Sequence, residues 1–279
     1  MTLLRHVEAC NRFDPDGYRR FSISGQPIGW MAPDNADFLV GRGLAKHTDT
    51  GIGISGGGFI SLSAHLARIV SALDEAKLMA TPRREMTPVL RKWGLGSCAE
   101  IDRAGLPALG LPAFGVHVNG LVNTADGLHL WIGHRARDRQ VAPGKLDHLV
   151  AGGITMGYSA SETVIKEAEE EAGLPADIAA RARPVGQVTY RLSLPDGLRN
   201  DTLFIYDLEL PQGVVPVSND GEVERFELMP IARVVEILRE TDDFKFNVNL
   251  VLIDFLARHG LIDPDREPDY VAMVRGLRQ

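Results

Sequence analysis

The sequence predicts an α/β fold, with a mixed sheet between helices and a smaller α+β unit ahead of it. Three observations carry this. From residue 115 onward, β-rich runs such as GVHVNGLVNT, DGLHLWIGHRA and LFIYDLEL alternate with helical stripes such as Ile231, Val234, Val235 and Leu238. A glycine- and proline-rich segment, residues 94–114, separates this half from an earlier one. Between two strand runs lies GGITMGYSASETVIKEAEEEAGL, residues 152–174, a glycine loop entering a glutamate-rich helix. The expected organisation is an N-terminal α+β domain over 1–112, a second domain over 113–262 and a C-terminal tail over 263–279.

Composition narrows the class. A chain of 279 residues suits two modest domains. The net charge of −7 argues against a nucleic-acid surface, while leaving room for a small anionic substrate held by a metal and local cations. No apolar run reaches membrane-spanning length. The opening MTLLRHVEACNRFDPDG lacks the apolar stretch of a secretory signal. Cys10 and Cys98 are too few for a disulfide framework. A cytoplasmic protein with free thiols is expected, with no membrane or nucleic-acid partner.

In chain order, a helix is expected over 3–12. Two strands follow around Ser24-Gly25-Gln26, on which Phe21 and Ile23, then Ile28 and Trp30, alternate. A second helix runs from Pro33 to about Val40. GIGISGGGFISLS lacks the Lys-Ser/Thr ending of a phosphate loop, so it reads as a turn entering a strand over 59–62. Ser63 then caps a helix to about residue 78, with Leu66, Ile69, Val70 and Leu73 as a core stripe. A further helix is expected over 88–93.

In the second half, Ala125-Asp126-Gly127 joins a hairpin. His117, His129 and His134 on it read as ordinary hydrogen-bonding strand residues. Arg135, Arg137, Arg139 and Lys145 form a basic segment, either a solvated loop or phosphate contacts, with Lys145 nearest the glutamates in sequence. Strands are expected over 184–192 and 203–210. The turn Asn219-Asp220-Gly221 leads to a strand carrying Phe226 and Leu228. Helices follow over 230–239 and 247–258.

The glutamate helix has its own stop signals. Ser159 and Glu162 make a capping box, and Gly173 followed by Pro175 ends the helix, giving 160–172. At about 100° per residue, Glu167, Glu170 and Glu171 share an arc of about 100°. Val164, Ile165, Ala168 and Ala172 lie beside them, while Glu162, Lys166 and Glu169 point to solvent. Like charges at this spacing repel, so the edge reads either as a solvated acidic face or as oxygen ligands for Mg²⁺ or Mn²⁺.

This stretch resembles the Nudix box, G-x5-E-x7-R-E-U-x-E-E-x-G-U, where U is bulky and apolar. Gly152, Glu167, Glu170, Glu171, Gly173 and Leu174 match it. Tyr158 stands in place of the loop glutamate, Lys166 in place of the arginine, and Ala168 is small for its position. The resemblance implies a Nudix α/β/α sandwich and a metal-dependent hydrolase of diphosphate linkages. It implies Glu170 and Glu171 as main metal ligands, Glu167 as a ligand or water-orienting group, and the Gly152 carbonyl as a further ligand. It also implies a downstream carboxylate, Glu222 or Glu224, with Glu222 preferred as nearer the turn.

PGKLDHLVAGG, YDLELP, DGEVERFELM, CNRF and IGWMAP further resemble one Nudix subfamily, with an N-terminal domain of unassigned function, associated with thiamine pyrophosphokinase in some fungi. That likeness implies hydrolysis of thiamine diphosphate, or its oxidised oxo and oxy analogues, to the monophosphate. Lys145, Tyr190 and Arg191 are the candidate substrate contacts, and Trp131, Tyr190 and Tyr206 the candidate stacking residues. The N-terminal domain is read as serving substrate selection or a homodimer interface. The alternatives are a non-hydrolytic diphosphate-binding module and an isoprenoid diphosphate isomerase, the second needing a catalytic cysteine that Cys98 is badly placed to supply.

Overall fold

The computed structural model describes residues 2–279. Helix α1 (Leu4–Cys10) leads into strands β1 (Arg19–Ile23) and β2 (Gln26–Met31). Ser24 and Gly25 between them take φ of 51° and 77°, the left-handed pair that suits a tight hairpin. Next come α2 (Pro33–Gly41), β3 (Lys46–Thr48) and β4 (Gly51–Ile54). The strands form a sheet ordered β2-β1-β4-β3, with β1 and β4 parallel.

Helix α3 (Phe59–Glu75) covers this sheet with Leu62, Leu66, Ile69 and Leu73. The strand expected over 59–62 is thus the helix's first turn, because Leu62 extends the Leu66 stripe by one turn. Ser63 does not cap the helix; its hydroxyl accepts the Glu100 N–H at 3.0 Å. The helix expected over 88–93 is replaced by β5 (Met86–Val89), paired with β6 (Ala99–Asp102). Pro88 is tolerated there because both strands of a two-stranded ribbon are edges. α4 (Gly105–Leu109) follows, so residues 94–114 are structured, not a plain connection.

The second unit runs through β7 (Pro112–Thr124), β8 (Gly127–Arg135), β9 (Leu146–Asp147), β10 (Val150–Gly153), α5 (Ala160–Ala172) and α6 (Ala176–Ala179). It continues with β11 (Arg183–Leu194), β12 (Gly197–Glu209), β13 (Val223–Pro230), α7 (Ile231–Glu240), α8 (Phe246–Arg258) and α9 (Tyr270–Gly276). Its sheet has the order β11-β12-β7-β8-β13, with β10 on β7 and β9 on β8. The β7–β12 pair is parallel and the others antiparallel. Side-chain alternation sorts the two faces. Val116, Val118 and Tyr206 pack with Val164 and Ala168 of α5. Leu203, Ile205 and Val188 pack under α7 and α8. This is the expected α/β/α sandwich.

The chain ends differ from expectation. Leu3, Val7 and Cys10 at α1, and Met273 and Leu277 at α9, share the second unit's core with α8. The first unit has a separate core, from Phe21 to Leu111. The two units also meet at backbone level, where the Met156 N–H donates to the Met86 carbonyl at 2.9 Å. No described helix is long and apolar enough to cross a membrane.

Candidate functional site

Helix α5 begins at the expected capping box. The Ser159 hydroxyl accepts the Glu162 N–H at 3.2 Å, and the Ser159 N–H donates to Glu162 Oε2 at 2.8 Å. It ends at Gly173 with φ 60°. Val164, Ala168 and Ala172 are buried toward the sheet, which turns the glutamate edge onto β10. There the Ala151 N–H donates to Glu171 Oε2 at 2.9 Å. Glu167 lies so close over Gly152 that a Cβ at 152 would be 2.4 Å from its Cγ and Cδ. Only glycine permits that approach. Lys166 does not point to solvent as expected. Its Nζ curls back to Glu167 Oε1 at 3.1 Å and Glu170 Oε2 at 2.7 Å.

Gly152, Glu167, Glu170, Glu171 and Glu222 all border one cavity of about 410 Å³. Glu224, exposed on β13, does not border it. Lys145 lies elsewhere, its Nζ donating to the Asp242 carbonyl at 2.7 Å. Tyr190 is fully buried in the core with its hydroxyl on Asp201. Arg191 is exposed and bonded to Asn200. Trp131 and Tyr206 are also core residues. The aromatic ring at the cavity is Phe114, which packs with Trp93 and Phe204 at centroid distances of 4.9 and 6.4 Å. Tyr158 is exposed and outside the cavity lining. Cys98 donates to the Val89 carbonyl in the first unit, away from the cavity. Burial pushes the Cys10 thiol up to about 12.

The glutamates are short of positive charge. Glu171 is buried with no cationic partner in salt-bridge range among the described residues. Burial pushes its carboxyl well up, the Ala151 N–H opposes this, and Asp147, Glu167 and Glu222 add repulsion. Burial also raises Glu167, against the pull of Lys166. Burial disfavours the Lys166 charge, but its bonds to Glu170 and Glu167 outweigh that and raise it. An under-compensated oxygen set on a rigid helix fits a hard divalent cation.

A second metal-capable set lies nearby. The ligand atoms of buried His117, Asp147 and His148 fall within 4.8 Å of one another, close enough to hold a divalent ion. Its charge is already satisfied, however. Asp147 is paired with Arg135 at 2.7 Å and Lys245 at 3.1 Å. Burial works against the Asp147 charge, but the field of Lys245 and Arg135 holds the carboxyl well below its ordinary range. The two histidines share one Nδ1–Nδ1 hydrogen bond of 2.8 Å. Burial lowers both, His148 to about 4, so both are neutral. The glutamate edge is the better cation site.

Sequence reasoning missed Asp147, His148 and the cavity-bordering Arg83, Arg103 and Arg199. Their partners are distant in the chain, as with Lys245 and Asp147, so no local spacing marks them. Arg135 and Arg139 of the basic segment do border the cavity, each already paired, with Asp147 and Glu222.

Residues 113–249 match the family model described as NUDIX domain. Nudix hydrolase 24, chloroplastic, of Arabidopsis thaliana is 43% identical over 213 residues, covering 76% of this chain and 58% of that protein. Nudix hydrolase 20, chloroplastic, of the same plant is 41% identical over 213 residues, covering 76% and 57%. The chain thus spans somewhat more than half the length of these curated relatives. The crystal structure of DR0079 from Deinococcus radiodurans overlays with a TM-score of 0.46 at 20% identity, covering 62% of this chain and 98% of that one.

Proposed function

We propose, from the premise that residues 113–249 belong to the Nudix superfamily, that the chain is a metal-dependent hydrolase of a small organic diphosphate. The observation that carries this is the meeting of Gly152, Glu167, Glu170, Glu171 and Glu222 in one cavity bordered by arginines. Glu167, Glu170, Glu171 and the Gly152 carbonyl would hold Mg²⁺ or Mn²⁺, with Glu222 as the further carboxylate. When bound, the ion neutralises phosphoryl oxygens and lowers the pKa of a water.

The chain's own residues prepare that site. The Ala151 N–H fixes one Glu171 oxygen. The bare Gly152 Cα lets Glu167 lie against β10. Lys166 gathers the Glu167 and Glu170 oxygens and offsets part of their charge as an anionic substrate enters. Thiamine diphosphate and its oxo and oxy analogues, cleaved to the monophosphate, are the substrates proposed, on the sequence likeness outside the box. A homodimer and a cytoplasmic location belong to the same proposal.

The test is release of monophosphate by the full chain with Mg²⁺ from a panel of thiamine, nucleotide-sugar and dinucleotide diphosphates. Glu170→Gln should cut kcat/KM by at least about a hundredfold, the scale of losing one electrostatic stabiliser of a transition state. Unchanged turnover would remove Glu170 from the site. One observation favours a second reading, a non-hydrolytic diphosphate binder, because Lys166 already bridges two glutamates. Tight binding with no release from any member of the panel would select it.

A further inference from the structure

The N-terminal unit forms one wall of the cavity, through residues before β5 and the β6–α4 corner. Two arginines on that wall border the same cavity as the glutamate edge of the other unit. We propose that Arg83 and Arg103 are a guanidinium clamp for the substrate's phosphoryl oxygens, which makes the N-terminal unit part of the active site. This rests on the diphosphatase reading and adds to it which oxygens are held, and by which unit.

Arg103 sits over β10. A Cβ at Gly153 would be 2.8 Å from its guanidinium carbon, and Gly153 directly follows the glycine beneath Glu167. Arg103 is half-exposed and shared with Glu85, whose two oxygens both lie 3.1 Å from Nη1. A half-exposed pair of this kind contributes little by itself, so an entering phosphoryl group can take its place.

Arg83 is different from the other cavity arginines. Arg103, Arg135, Arg139 and Arg199 pair with Glu85, Asp147, Glu222 and Asp201. The Arg83 side chain has no such partner among the described residues. Arg83 is an exposed residue that borders the cavity; partial burial there, then the nearby Arg103, Arg199 and Arg139, disfavour its charge, and Glu85 favours it. An unmatched guanidinium facing a cavity is a place for an anion.

The two arginines are also held side by side. Asp102 accepts the backbone N–H groups of Arg83 at 3.1 Å, Arg84 at 2.7 Å and Ala104 at 2.9 Å. One carboxylate thus ties the turn carrying Arg83 to the corner carrying Arg103. Planar guanidinium forks match phosphoryl oxygens in a bidentate way that an ammonium does not. A diphosphate with some oxygens toward the glutamate edge leaves the others to this pair.

The test uses the full chain, Mg²⁺ and methylenediphosphonate, a diphosphate analogue whose P–C–P bridge cannot be hydrolysed, with affinity read by calorimetry. Arg83→Gln and Arg103→Gln should each weaken binding about tenfold or more, the loss of a charge-assisted contact. Arg83→Lys should restore part of the loss. Arg84→Gln, which changes the neighbouring charge outside the cavity, should leave affinity unchanged. In turnover, the Arg83 and Arg103 variants should raise KM more than they lower kcat. Affinities within about twofold of wild type for both variants overturn the clamp, as does an equal loss in Arg84→Gln. Binding and turnover are read separately. A wild type that binds through both arginines but hydrolyses nothing keeps the clamp and removes the hydrolase.

Discussion

At the scale of single residues, Glu171 has the most testable consequence. Burial without a cation holds its carboxyl well above the ordinary range. The folded state therefore binds that proton more tightly than the unfolded one. Metal-free stability should fall as pH rises from the ordinary carboxylate pKa toward the raised one, and should stay low above it. Glu171→Gln keeps an oxygen for the Ala151 N–H and removes the charge. At about pH 8 without metal it should melt above wild type, by about 2–4 °C for each kcal/mol recovered. Near pH 4 the two should converge. Mg²⁺ should raise the wild-type Tm more at high pH than at low, and should barely move the variant. A scanning-fluorimetry difference that stays constant across this range would refute the assignment. The positions of the three glutamates were readable because helical periodicity fixes them. Lys166 was not, since its long stem lets the ammonium return to an edge its Cα faces away from. Arg83 and Arg103 were not either, because a tertiary turn at Asp102 places them.

Helix α5 shows what local signals can specify at the scale of an element. Its bounds, Ala160–Ala172, match the sequence reading at both ends, because the capping box and the left-handed Gly173 act within a few residues of the helix they bound. Ser159→Ala should cost about 1 kcal/mol and lower Tm by about 2–4 °C. At room temperature the variant should keep the wild-type KM, since no cavity side chain moves. A melt identical to wild type would mean that the cap contributes nothing to this helix. Elsewhere local signals misled. Phe59 and Ile60 are β-formers in the first turn of α3, and Ser63 serves Glu100 in the neighbouring strand instead of its own helix. Pro88 signals a helix start yet sits in an edge strand. In both places tertiary pairing overrode a weak local preference.

At the scale of the whole molecule, the layers were readable from alternation along the strands, but the closure of the chain ends was not. The terminal stretch LIDPDREPDYVAMVRGLRQ is interrupted by charges and prolines and carries no long apolar stripe. Two side chains four residues apart, Met273 and Leu277, nonetheless lie fully buried with Leu3 and Val7 beneath α8. Backbone bonds fasten the same end, as the Thr189 N–H donates to the Leu277 carbonyl at 2.9 Å. Arg278 reaches the buried Asp254 of α8. Lys245 and Asn247, at the start of α8, border the cavity, so this anchoring supports the floor of the candidate site. Leu277→Ala should therefore destabilise the protein by about 2–5 kcal/mol, the range for truncating a fully buried leucine, read as a lower urea midpoint with an unchanged slope. Hydrogen exchange should quicken in α8 and β11 and stay slow in α3, whose core is separate. A free tail would predict no change in either measurement, and a single undivided core would predict faster exchange in α3 as well.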